Sequence, residues 1–259
     1  MSDVTVMRDG HILLIALNRP QKYNALTVDM YNQIADAYGE LERDPDLRCA
    51  LVYGEGKHFT AGLQLDDWAA TFSTGKPMPL KEGQVDPFAV ATPRVSKPVV
   101  FAVKGICYTC GVEMMLASDV RVAANDSRFA QLEVKRGFYA CGGATIRLVQ
   151  EMGWANAQRY LLTGDEWSAE DAYRMGMVQQ VTAPGEEFEA ALAIARGIAK
   201  AAPLGVQGSL KSSLIARQQG ESAAIERLYP DLVPVMAAED MQEGIRSFLE
   251  RREAVFKGR

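Results

Sequence analysis

Short apolar runs alternate with helix-patterned segments through the first ~200 residues, and a chain built that way has few architectures open to it. Residues 4–8 and 12–17 read as a strand pair turning at Asp9-Gly10, a favoured hairpin dipeptide, and Asn18-Arg19-Pro20 ends the second strand. Thr27 then opens a helix carrying Met30, Ile34, Ala37 and Leu41 at helical spacing, which closes before Asp44-Pro45. The runs 49–53 and 98–103, each stopped by glycine, read as buried strands, and 120–123 and 128–131 as two more. Helices are expected over 111–117 and over 144–162, the latter interrupted near Gly153. Ser168-Ala-Glu-Asp171 has the form of a capping box opening a helix that stops at Gly176, and 177–181 is a further strand. Everything from Glu186 onward is helical in pattern. Pro203 is a first-turn residue there, Pro230 and Pro234 break the next element, and a closing helix covers roughly 239–256. The expected class is α/β followed by an all-α tail.

At 259 residues the chain suits one large domain, or one with a smaller appendage. Its net charge of −5 is spread over mixed signs without a lysine or arginine tract, which argues against a nucleic-acid groove. No stretch of about 18 uncharged apolar residues exists, so no membrane span is expected. Residues 1–10 lack the basic and apolar regions of a secretory signal. The four cysteines (Cys49, Cys107, Cys110 and Cys141) lie in apolar or glycine-rich segments and are expected to be buried, reduced thiols, as in a cytoplasmic protein.

In Gly105-Ile-Cys-Tyr-Thr-Cys-Gly-Val-Glu113 a strand ends at Gly105 and a helix begins near Gly111. The turn between them aims unpaired backbone N–H groups at one point. Such donors stabilise an oxyanion without a charged side chain, although a plain strand-to-helix turn carries the same glycines. Glu113 shifts the balance, because it sits among Val112, Met114, Met115 and Leu116 in a helix that must be buried. A carboxylate there pairs with a cation, meets the helix dipole, or has a chemical task. His58-Phe-Thr-Ala-Gly-Leu-Gln-Leu65 also follows a strand, and Ala61 and Gly62 permit close backbone approach. Glu133 lies at the end of a strand pattern and by itself reads as a surface glutamate. Cys141-Gly-Gly143 is a flexible turn into a helix. Residues 66–98 hold Pro77, Pro79, Pro87 and Pro93 without a sustained period, and read as a short helix followed by a long loop.

Cys107-x-x-Cys110 has metal or redox spacing but no second pair and no suitably spaced histidine, so no metal site is expected. His11 and His58 have no serine or cysteine signature beside them, and neither GxxxxGK[ST] nor GxGxxG occurs.

Together these segments resemble the crotonase (enoyl-CoA hydratase/isomerase) superfamily over nearly the whole chain. Asn18-Arg-Pro-Gln-Lys-Tyr-Asn-Ala-Leu26 is similar to its RPxxxNAL signature, and Phe59-Thr-Ala-Gly-Leu63 to its FxAG(A/L) oxyanion segment. Lys97-Pro-Val-Val-Phe-Ala-Val-Lys-Gly105, with Gly111-Val-Glu113 and Ser118-Asp119, is similar to its KPxIAAVxG…GGGxEL…xD block. Leu162-Thr-Gly-Asp165, Ser168-Ala-Glu-Asp-Ala172 and Gly176-Met-Val178 resemble its LTG…AxxAxxxGLV stretch, and Glu243 to Arg252 its final helix.

The resemblance implies a spiral of repeated ββα units: a crotonase core over residues 1–200 with an acyl-CoA site, and a helical trimerisation region over 201–259. A homotrimer or dimer of trimers follows, with acyl-CoA substrates, a place in fatty acid metabolism, and no cofactor beyond the coenzyme A of the substrate. Leu63 and Cys110 take the positions of two oxyanion-hole N–H donors. Glu113 and Glu133 take those of two glutamates that flank a water, and this lifts Glu133 out of its surface reading. Substrate-binding positions fall on Lys22, Ala61, Gly62, Gln64, Leu65, Trp68, Gly111 and Phe138. The implied reaction adds water across the 2,3 double bond of an enoyl-CoA, Glu113 activating the water and Glu133 delivering a proton to C2. Isomerisation or hydrolysis through the same enolate, and acyl-CoA binding without catalysis, are the alternatives. Thr109-Cys110-Gly111 replaces the family's triple glycine, Gln64 a frequent aspartate, and Ala140-Cys141 a Pro-Gly pair. Each replacement reshapes the acyl pocket. Trp68, Phe72, Met78 and Phe88 either wall that pocket or anchor the long loop to the core.

Overall fold

The computed structural model describes residues 2–91 and 94–259; Met1, Thr92 and the loop proline Pro93 lie outside the described residues. Strands β1 (Val4–Asp9) and β2 (Ile12–Leu17) pair antiparallel, Val4 opposite Leu17. Helix α1 (Val28–Arg43) begins where the Thr27 hydroxyl accepts the Met30 N–H at 3.1 Å, satisfying one of the unpaired donors of its first turn. The chain continues through β3 (Cys49–Gly54), α2 (Leu65–Ser73), β4 (Val99–Val103), β5 (Ile106–Tyr108) and α3 (Cys110–Leu116). Next come β6 (Val120–Ala124), β7 (Arg128–Ala130), α4 (Ala144–Met152), α5 (Trp154–Thr163), β8 (Trp167–Ser168) and α6 (Ala169–Arg174). Strand β9 (Gln180–Thr182) and helix α7 (Glu187–Lys200) close the α/β part, and α8 (Pro203–Gln219), α9 (Glu221–Met236) and α10 (Glu239–Glu250) form the helical tail.

The larger sheet has the order β1-β2-β3-β4-β6-β9, parallel after its first pair, and β5-β7-β8 form a second sheet. Both faces of the large sheet are covered, as parallel strands require. Ile12, Leu14, Leu51, Val100 and Val122 pack with Ala191, Leu192 and Ala195 of α7, while Leu13, Ile15, Val52 and Phe101 join Ile34 and Leu41 of α1 in the main core. No described helix is long and apolar enough to cross a membrane.

Five expectations are corrected. The turn over 105–111 contains a strand, β5, whose three residues are too few to show a period. The last parallel strand starts at Gln180, because the Met177 and Val178 N–H groups turn back to the Ala172 carbonyl. Helix α9 runs through Pro230 and Pro234. Each proline removes one N–H, and the carbonyls left over, on Glu226 and Pro230, belong to exposed residues that water reaches. Helix α10 ends at Glu250, with Arg251 in the left-handed region at φ 54, so Phe256 lies beyond it. Cys141 is exposed, because it sits in the loop before α4 at a cavity edge; Cys49, Cys107 and Cys110 are buried.

Candidate active site

Segment 58–64 is held from both sides. The Phe59 and Thr60 N–H groups donate to the Lys104 and Ile106 carbonyls at 2.9 and 3.1 Å. On the other edge Leu26 N–H donates to the Gly62 carbonyl at 2.8 Å, and Gln64 N–H to the Leu26 carbonyl at 3.0 Å. Gly62 and Gln64 therefore make the ladder bonds, and the Leu63 N–H between them turns to the opposite side. The Asn18–Leu26 signature builds this clamp. Buried Asn24 accepts the Arg19 N–H at 2.7 Å and donates to the Glu55 and His58 carbonyls at 3.0 and 2.9 Å. Arg19 itself donates to Gln64 Oε1 at 2.7 Å.

Strand β5 carries the chain to Thr109 and α3. Cys110 is the first residue of that helix, so its N–H has no acceptor within it. Thr109 adopts φ 48 with ψ −113, a backbone state that costs a β-branched residue about 1–3 kcal/mol. Gly62, at φ +110, makes room for it: a Cβ there would stand 2.3 Å from Thr109 Oγ1. The two segments close on each other, and Leu63 and Cys110 line one cavity of about 680 Å³.

Glu113 lines the same cavity and is 4% exposed. Burial pushes its pKa up to about 7, against the pull of the Ala144, Gly142 and Gly143 N–H groups and the Arg147 charge. The Ala144 N–H donates to Glu113 Oε1 at 3.2 Å. A Cβ at 142 would stand 2.6 Å from Glu113 Oε2, so any larger residue there displaces the carboxylate. Glu133 heads a 3₁₀ turn, Glu133–Arg136, instead of ending a strand, and is 6% exposed. Burial raises its pKa to about 7; its own N–H opposes the rise and the Glu113 charge adds to it. Its Oε2 has no hydrogen-bond partner among the described residues. Glu133 lines a second cavity of about 230 Å³, and Tyr139 borders both.

Residues 8–259 match the family model described as enoyl-CoA hydratase/isomerase. The chain belongs to that family. It is 32% identical to the enoyl-CoA hydratase EchA19 of Mycobacterium tuberculosis, over 99% of this chain and 97% of that one. It is 31% identical to the (E)-benzylidenesuccinyl-CoA hydratase of Thauera aromatica, over 98% and 99%. Among solved structures, a probable enoyl-CoA hydratase/isomerase from Mycobacterium abscessus matches with a TM-score of 0.96 at 44% identity, covering 100% of this chain and 99% of that one. The architecture is the expected crotonase α/β fold with a C-terminal helical region.

Of the positions expected to bind substrate, Leu65, Trp68 and Phe138 line the larger cavity. Lys22, Ala61, Gly62, Gln64 and Gly111 stand outside its lining. Lys22 is exposed, the Ala61 N–H is bound to the Tyr23 carbonyl at 2.9 Å, and Gly111 lies against Thr60 and Cys107. Trp68, Phe72, Met78 and Phe88 all line the cavity, and Trp68 and Phe88 are core residues as well. For Trp68 and Phe88 wall and anchor are one role, whereas Phe72 is wall alone.

Sequence reading missed Tyr31, Asp86 and Arg147. Buried Asp86 accepts the Tyr31 hydroxyl at 3.0 Å and the Phe88, Val90 and Ala91 N–H groups, which seats the cavity wall on α1. Arg147 donates to the Phe88 and Ala89 carbonyls at 2.8 and 2.9 Å and to Gly142 at 3.2 Å, joining that wall to the turn beside Glu113. An arginine one turn into a helix that follows Cys-Gly-Gly was a visible signal; Asp86, in a proline-rich loop, offered none.

Proposed function

We propose that the protein is an enoyl-CoA hydratase, adding water across the 2,3 double bond of an enoyl-CoA thioester. The observation that carries this reading is buried Glu113 in one cavity with the Leu63 and Cys110 N–H groups, which have no acceptor among the described residues, and buried Glu133, which feels the Glu113 charge, in a second cavity bordered by the same Tyr139. Attack at C3 moves negative charge onto the thioester oxygen, where the Leu63 and Cys110 N–H groups receive it, each donor worth about 3 kcal/mol. Glu113, surrounded by N–H donors that favour its charged form, takes a proton from the attacking water. Glu133, whose Oε2 has no donor among the described residues, holds its proton and gives it to C2. A water O–H bond, the C2=C3 π bond and the Glu133 O–H bond break, and C3–O, C2–H and Glu113 O–H bonds form.

Leu65, Trp68 and Phe138 supply apolar wall for the acyl chain, and coenzyme A enters as part of the substrate, with no separate cofactor. Loss of crotonyl-CoA absorbance at the enoyl-thioester band is the expected signal. The enzyme reading is abandoned if no tested acyl-CoA is converted and neither Glu113→Gln nor Glu133→Gln changes anything. A product with a shifted double bond in place of a hydroxyl would make the protein an isomerase.

Residues 1–200 form the acyl-CoA core in this reading and 201–259 the assembly region. Exposed Tyr229, Phe248 and Leu249 on α9 and α10, 80%, 82% and 74% accessible, support a homotrimer or dimer of trimers. Light scattering should return three or six chains. The free cysteines support a cytoplasmic setting.

A further inference from the structure

Among the described residues, two buried oxygens without a hydrogen-bond partner, Gln131 Oε1 and Glu133 Oε2, belong to residues that line the same cavity of about 230 Å³. Gln131 is 1% exposed and Glu133 6%. The Gln131 amide orientation is set by its Nε2, which donates to the Thr109 carbonyl at 3.3 Å and leaves the oxygen without a donor. A buried polar oxygen without a partner is costly, so two of them in one niche call for a partner that can donate to the amide oxygen and either accept from or donate to the carboxyl group. No lysine, arginine or histidine among the described residues lines this cavity, and Thr145 and Gln158 add further polar groups. Water fits that chemistry: each molecule occupies about 30 Å³ and takes two to four polar partners.

The position of the cavity gives such water a task. Its lining shares only Tyr139 with that of the larger cavity. Its rim carries exposed Thr145 and Leu162, on α4 and α5, so the cavity meets solvent at residues that the larger cavity does not share. We propose that this cavity is a water-binding chamber that returns to Glu133 the proton lost in each turnover. The task rests on the hydratase reading above. After one hydration Glu113 holds the proton taken from the attacking water, and Glu133 is a carboxylate, its proton now on C2. Resetting the pair requires one proton to reach Glu133 and one to leave Glu113. Chamber waters pass a proton inward from bulk solvent, each breaking one O–H bond as it forms the next. Glu113 releases its proton through the larger cavity when product departs, so protons and charge balance.

A high-resolution crystal structure should show ordered water hydrogen-bonded to Gln131 Oε1 and Glu133 Oε2; a dry chamber overturns the proposal. Thr145→Phe, at an exposed helix position, plugs the rim. It should lower kcat for crotonyl-CoA about tenfold with KM unchanged. It should also slow loss of deuterium from C2 of 3-hydroxybutyryl-CoA relative to dehydration. Thr145→Ser should leave both at their original values. Unchanged kcat and deuterium loss, with the phenyl ring seen filling the chamber, overturns the proton-return role. A protein that converts no enoyl-CoA yet shows those waters breaks the hydratase reading and leaves the water site standing.

Discussion

Glu113 and Glu133 are both lifted to about 7 by burial, yet their walls donate very differently. Around Glu113 the Gly142–Ala144 turn presents backbone N–H groups, and Arg147 adds a positive charge. Around Glu133 only its own N–H opposes the rise, and Oε2 is without a partner among the described residues. Donors favour a carboxylate and their absence favours a carboxylic acid. Burial raises both residues alike; in the proposed reaction the difference in donors assigns the base role to Glu113 and the acid role to Glu133. Their protons still belong to the pair, so the activity profile reports shared values.

The comparison breaks first at Glu113. Glu113→Gln should lower kcat about 1,000- to 10,000-fold, the upper range for loss of a positioned base. Its remaining activity should lose its basic limb at lower pH, because Glu133 no longer feels the Glu113 charge that raises it. Glu133→Gln should cost less, about 100- to 1,000-fold in steady-state kcat, since water can deliver a proton in its place. Equal losses in the two variants would erase the distinction drawn from the donors. Gly142→Ala should lower kcat about 10- to 100-fold with KM little changed, as its Cβ displaces the Glu113 carboxylate from 2.6 Å away. Arg147→Met removes a charge that lowers the Glu113 pKa, so the acidic limb of kcat/KM should move to higher pH. Activity should then fall more at pH ~6 than at pH ~9.

The smallest effect is on stability. Both glutamates have folded pKa values near 7 against an ordinary 4.5, so the native state favours their protonated forms. The stability this contributes is complete below pH 4.5 and is lost as pH rises through about 7. For Glu113 the shift corresponds to about 3 kcal/mol. Urea melts of Glu113→Gln should therefore lose less stability between pH ~5 and ~8 than those of the unsubstituted protein. An identical pH dependence would mean that Glu113 is not buried as described.

What could be read along the chain was local. Thr27 and Ser168 announce their helices because a hydroxyl before a helical period satisfies the donors of its first turn, and both cap as expected. The strands through 49–53 and 99–103 were visible because a strand buried on both faces is apolar at every position. What could not be read depends on neighbours distant in sequence. β5 exists because β7 lies on one side of it and Thr60 on the other. Pro230 and Pro234 looked like breaks, since sequence does not show that the carbonyls they orphan face solvent.

The site divides in the same way. Sequence by itself determined the two glycine-bearing turns, the burial of Glu113 in an apolar helix, and, through family spacing, the partner position at Glu133. Tertiary structure alone decided that Leu63 N–H faces away from the Leu26 ladder, that α5 covers Glu133, and that Arg147 joins the cavity wall to the Gly142 turn. Helical and strand periods record which side of an element is buried. They carry no record of which distant N–H, carbonyl or charge will meet a carboxylate once it is inside, and those meetings set the different surroundings of Glu113 and Glu133.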